Sequence, residues 1–122
     1  MPDFDFEIFL PETHTDVAIL RLSGSLDSYS LPALDKKIHQ LIHDDNKSKF
    51  VVNCSKLKFI SSPGMGLFLG SLGDMEKRGG RIVFSNVVQP EVHDAMSLLG
   101  FFDVFSFFDE EREAVRNLHR SL

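Results

Sequence analysis

Lys49-Phe50-Val51-Val52-Asn53-Cys54, then Leu57-Lys58-Phe59-Ile60-Ser61-Ser62-Pro63-Gly64-Met65-Gly66-Leu67-Phe68-Leu69-Gly70, then Gly79-Gly80-Arg81-Ile82-Val83-Phe84-Ser85 is the stretch that decides the fold. Lys49 to Cys54 is a short, nearly continuous apolar run, as in a strand covered on both faces. Ser61-Ser62-Pro63 opens a helix that runs to about Arg78. Pro63 pushes the residue before it out of the α region, so Ser62 is the expected N-cap and Pro63 the first helical residue. Gly79-Gly80 closes the helix with residues that tolerate positive φ. Arg81 to Ser85 reads as the next strand. A strand, a helix and a strand at this spacing make a parallel crossover.

Upstream, Phe4, Phe6, Ile8 and Leu10 alternate with Asp5 and Glu7, the period of a half-buried strand. After a polar loop at residues 11–16, Val17 to Leu22 reads as a second strand, hairpinned to the first. Ser23-Gly24-Ser25 is expected to end it. From Ser30, the residues Leu31, Leu34, Ile38, Leu41 and Ile42 share one helical stripe, and Pro32 fits its first turn. Downstream, Pro90-Glu91 starts a helix with Val92, Met96 and Leu99 on one face, ended by Gly100. Val104 to Phe108 reads as a short strand. Asp109 is a plausible N-cap for a last helix, with Glu110 and Glu111 at its start and Arg116 and Arg120 near its end, the sense its dipole favours.

The order β β α β α β α β α describes a single α/β domain over residues 1–122. Its sheet is mixed, with an N-terminal hairpin and about four helices mainly on one side. Phe101, Phe102, Phe105, Phe107 and Phe108 stand out. Core packing is the ordinary use of such rings. Five of them exceed what one short strand buries on one face, so an exposed aromatic patch is the alternative.

With 122 residues, a second domain would lack a comfortable core. A net charge of −5 leaves no footprint for neutralising phosphates, which argues against nucleic acid. No apolar run approaches the ~20 residues of a membrane span. The acidic start Met1-Pro2-Asp3 lacks the basic region of a signal peptide, so the expected location is cytoplasmic. The single cysteine, Cys54, excludes an internal disulfide and lies in an apolar run with no cation to stabilise a thiolate. His39 and His43, with Asp35, have ligand spacing on one helix, but no further cluster completes a metal site and they read as solvated. G-x-S-x-G is absent, and Gly64, Gly66 and Gly70 miss the dinucleotide fingerprint by one residue. Neither a catalytic residue nor a cofactor is expected.

The helix after Ser62 is the most informative segment. Gly66, Gly70 and Gly73 lie along one side, each at ~1 kcal/mol relative to alanine, and close approach of another backbone is the natural reason. Met65, Leu69 and Leu72 flank the stripe of Leu67, Phe68, Ser71 and Met75. They are either buried between layers or offered to a partner. A phosphate on Ser62 would meet unpaired N–H groups and the positive end of the helix dipole, yet would be costly inside an apolar interface.

The run Leu57 to Gly70 resembles the signature of STAS-domain anti-sigma-factor antagonists, which reads roughly apolar-apolar-Asp-Ser-Ser/Thr-Gly-apolar-Gly. Leu22-Ser23-Gly24-Ser25-Leu26-Asp27 is similar to that family's G-x-L-D turn, and Leu98-Leu99-Gly100-Phe101 matches the end of its third helix. The resemblance implies a non-enzymatic bacterial partner-switching protein. Its partner would be an anti-sigma factor that is also a serine kinase of the histidine-kinase-like ATPase class. A metal-dependent serine phosphatase would reverse the modification. Aligned on Gly64 and Gly66, the phosphorylated serine is Ser62, with Ser61 as the alternative. Asp27, Ser61, Ser62, Gly64, Met65 and Leu69 are the implied partner-binding residues. The family's acid before the phosphoserine is Ser61 here, and its following Ser/Thr is Pro63. A STAS interaction module of another signalling assembly, without serine phosphorylation, is the alternative reading.

Overall fold

The computed structural model describes residues 4–120, without the side chains of 119 and 120. The reading of Met1 to Asp3 and of the Arg120 charge lies outside the described residues. The elements are β1 (Phe4–Phe9), β2 (Val17–Leu26), α1 (Leu31–His43), β3 (Lys49–Ile60), α2 (Ser62–Glu76), β4 (Arg81–Ser85), α3 (Pro90–Leu98), α4 (Phe101–Val104), β5 (Ser106–Phe108) and α5 (Glu111–Arg120). The strands form one sheet in the order β1-β2-β3-β4-β5. β1 is antiparallel to β2 and the remaining pairs are parallel, so the sheet is mixed, as the hairpin and crossovers require.

Alternation along the strands sends side chains to two cores. Leu20, Leu22, Phe50, Val52 and Phe84 pack against the buried stripes of α1, α2 and α3. Val17, Ile19, Val51 and Val83 face Ala114 and Leu118 of α5. In β1, Phe4, Phe6 and Ile8 turn toward the larger core and Asp5, Glu7 and Phe9 turn away. Leu10 lies past the strand and is exposed. On the outer edge of β1, the N–H of Phe6 donates to Asp5 Oδ1 at 2.8 Å.

Two strands outrun their expected ends. β2 continues through Ser23-Gly24-Ser25 to Leu26, with Gly24 at φ 84°. β3 continues past Cys54 to Ile60 alongside it. The periodicity hid this extension because β3 carries two bulges. Arg21 to Ser23 advances two residues while Asn53 to Lys56 advances three, and Gly24 to Ser25 advances one while Leu57 to Phe59 advances two. Cys54, Leu57 and Ile60 therefore all reach the core at a spacing of three, which no simple alternation reveals.

The aromatic run folds differently from expectation. Phe101 to Val104 forms an extra helical turn after Gly100, which sits at φ 74°, and only Ser106 to Phe108 is strand. The rings of Phe101, Phe105 and Phe107 gather on Phe84, with centroids 5.7, 5.0 and 5.2 Å away, and Phe68 closes in at 5.3 Å. A helix and a strand together bury what one strand could not. Phe102 alone stays exposed. Leu99, expected in the core, caps α3 and is exposed.

The two closing glycines serve different purposes. Gly79 has φ 72°, as its position at the end of a helix requires. Gly80 has no such torsion, but a Cβ there would collide with the Ser48 carbonyl.

Candidate functional site

β2 and β3 end side by side, and their exits form one corner of the molecule. Leu26 pairs with Ile60, and the Ser61 N–H donates to the Leu26 carbonyl at 2.9 Å. Gly64 lies over this junction. A Cβ on it would stand 3.0 Å from Leu26 Cγ, 3.2 Å from Ile60 Cγ1 and 3.2 Å from the Leu26 carbonyl oxygen. The absent side chain lets the first turn of α2 sit against the end of β2.

Ser61, not Ser62, is the N-cap of α2. Its backbone is extended at φ −85°, ψ 167°, and its Oγ accepts the Gly64 N–H at 3.1 Å. The pre-proline restriction on Ser62 is a preference only, and the cap hydrogen bond outweighs it. Pro63 moves to the second helical position, where its missing N–H still costs no intrahelical bond. Ser62 is left exposed on the first turn, and its hydroxyl forms no hydrogen bond with the described residues.

Asp27 shapes the neighbouring turn. Its Oδ1 accepts the N–H groups of Tyr29 at 3.0 Å and Ser30 at 3.1 Å. The Ser30 hydroxyl in return accepts the Asp27 N–H at 2.9 Å. Ser30's backbone N–H holds the Asp27 carboxyl below its ordinary range, aided by the Ser30 hydroxyl and the Tyr29 N–H and opposed by slight desolvation. This reciprocal Asp-Ser pair was legible as a turn signal three residues apart, and the sequence reading passed over it. It holds Tyr29 outward, 93% exposed.

The remaining candidates divide. Leu69 is 38% exposed, while Met65 is 3% exposed and belongs to the main core, against the expectation that both face a partner. Gly66, Gly70 and Gly73 have no described neighbour within 4 Å of where a Cβ would stand, so no backbone among the described residues approaches them. Gly66 and Gly70 instead wall a groove of about 370 Å³ between α1 and α2, with Pro63, Ile38, His39 and Asp74. The His39 and His43 rings lie tilted, with centroids 4.1 Å apart. His43 Nδ1 lies 3.0 Å from Arg78 and its Nε2 3.8 Å from Asp74, so His43 ties α1 to α2 and to the turn after it. Among the described residues no three ligating side chains cluster to hold a metal. Burial pushes the Cys54 thiol up to about 12, away from thiolate chemistry. No helix of the described residues is long and apolar enough to cross a membrane.

Residues 9–114 match the sequence profile of the STAS domain. The chain belongs to the STAS domain family. An anti-sigma F factor antagonist of Paenibacillus polymyxa is 29% identical over 107 residues, 88% of this chain and 91% of that protein. This STAS domain also superposes on an anti-sigma factor antagonist from Mycobacterium paratuberculosis, with TM-score 0.78, 21% identity and coverage of 98% and 97% of the two chains. The phosphorylated form of the Bacillus cell fate determinant SpoIIAA gives TM-score 0.73 at 24% identity, covering 93% of this STAS domain and 98% of that chain.

Proposed function

We propose that this STAS domain is an anti-sigma-factor antagonist that works by binding rather than catalysis. Its partner is an anti-sigma factor with serine kinase activity of the histidine-kinase-like ATPase class. The binding surface is the end of β2 from Gly24, the turn from Asp27 to Tyr29 and the first turns of α2, including Asp27, Ser61, Ser62, Gly64 and Leu69. Met65 contributes from beneath, by fixing the helix. Phosphorylation of Ser62 releases the partner, and a metal-dependent serine phosphatase restores binding. The relatives support the antagonist role by name, and one of the similar structures is a phosphorylated form.

The observation that carries the reading is the division of labour between adjacent serines. Ser61 Oγ is occupied as the helix cap, whereas the Ser62 hydroxyl is exposed and unbonded one residue later. A phosphate on Ser62 lies at the positive end of α2, worth about 0.3–1 kcal/mol when exposed. The fold therefore tolerates the dianion that an apolar interface would not.

Co-expression with the cognate kinase and phosphosite mapping tests this. Label is expected on Ser62, lost in Ser62→Ala and kept in Ser61→Ala, although the latter costs about 1 kcal/mol of stability through the lost cap. Label kept in Ser62→Ala and lost in Ser61→Ala moves the switch by one residue. No label with the partner still bound establishes an unswitched interaction module instead.

A further inference from the structure

We propose that the outer face at the end of β3, which adjoins the Ser62 surface at Gly24, docks an acidic segment of a protein partner. α5 packs on β3, β4 and β5, and its cluster reaches only as far as Val17, Ile19, Val51 and Val83. Beyond Asn53, the side chains of Ser55, Lys56, Lys58 and Phe59 are exposed, and no described helix covers them. The two bulges of β3 lie there, and each turns two consecutive side chains outward, Ser55-Lys56 and Lys58-Phe59, where a regular strand would turn one. Lys56, Lys58, Ser23, Ser55, Gln89 and Asp5 line an open recess of about 550 Å³.

The charges in this recess fix the chemistry of the occupant. Neither lysine makes an ion pair or a hydrogen bond with a described residue, although the chain carries 18 acids against 13 bases. Asp5 lines the recess with its Oδ1 engaged by the Phe6 N–H, and Glu7 borders the adjoining recess. Arg21 beside them is taken by Glu111. Two lysines without a counter-ion among the described residues thus line one recess with Asp5, and they suit carboxylates. The Ser55 N–H already donates to Asn53 Oδ1, so it is not free to cradle a compact phosphate. The 44% exposed ring of Phe59, next to Lys58, supplies an apolar anchor that a free inorganic anion would not use. Carboxylates spaced along a peptide, with an apolar side chain among them, match this arrangement.

The test is an amide-shift titration of the isotope-labelled full chain with a short peptide of alternating glutamate and leucine. Saturable shifts are expected at residues 23–24, 55–59 and 89, weakening as salt rises. The double variant Lys56→Glu/Lys58→Glu should lose binding by about tenfold or more. Its melting temperature should not move, because both side chains are exposed. Phe59→Ala should weaken binding while keeping the salt dependence. The proposal is overturned by an absence of saturable shifts, or by equal affinity in the double variant. It is also overturned if inorganic phosphate shifts the same amides as strongly, or if dilution of the free chain shifts them, which would assign the face to a second copy.

Discussion

One face of the sheet is held by volume, the other by a pin. On the first, Phe68 of α2, Phe101 of α4 and Phe105 just after it surround Phe84, in a core that the buried stripes of α1 and α3 complete. On the second, α5 alone contributes Ala114 and Leu118 to a small apolar cluster. It adds a fork in which Arg21 Nε and Nη2 each donate to Glu111 at 2.9 Å, with Asn53 Nδ2 donating to the same carboxylate at 2.9 Å. A large core tolerates little change in shape but needs no charge. A thin layer needs a directional contact to set where its helix begins.

The largest effect should come from the first face. Phe84→Ala removes the hub of four rings and should cost about 3–5 kcal/mol, against a loss for Leu118→Ala at the low end of about 2–5 kcal/mol, since its cluster is small. Denaturant titration compares them directly, and equal losses would erase the distinction between the two faces. Met65→Asp belongs with Phe84→Ala, since it places a carboxylate in the same core.

A smaller, pH-dependent loss is expected from Glu111→Gln. The Arg21 hydrogen bond, with Asn53 and the Arg21 charge adding to it and burial opposing, holds the Glu111 carboxyl below its ordinary range. The unfolded chain then binds this proton more readily. The pin's contribution is complete above the unfolded carboxylate value of about 4.3 and is lost as pH falls through the lower folded value. The difference between wild type and Glu111→Gln should be about 1 kcal/mol at neutral pH and shrink in acid. A difference that stays constant into acid would mean that the pin is not ionic.

The smallest effect on stability should come from Leu69→Asp. This side chain stands outside both cores, so melting should move by no more than about 0.5 kcal/mol equivalent while partner binding is lost. A large stability loss would place Leu69 in the core with Met65.

The order of the elements was legible because β1 and α1 obey clean periods, while β2, the first half of β3 and β4 are short apolar runs bounded by turn residues. Two places were not. The bulges of β3 replace a period of two with a spacing of three, which imitates neither strand nor helix. The cap of α2 was misplaced by one residue because Ser61 and Ser62 are chemically identical, and only the geometry of the Gly64 N–H separates them. At the site itself, the joining of the Asp27 turn to the start of α2 was readable from order. Met65 was not, because α2 is apolar nearly all round and its burial depends on which neighbours arrive. The glycines taught the converse. Gly66, Gly70 and Gly73 looked confined and are open, whereas Gly64 and Gly80 are the crowded ones.

The bond from the Phe6 N–H to Asp5 Oδ1 has a consequence for how this protein lives at high concentration. β1 ends the sheet, and a passing chain could add itself there only by capturing donors along that edge. Asp5 already occupies one of them and sets a negative charge in the intruder's path. Pairing along the β1 edge would therefore first have to evict a carboxylate held by its own strand.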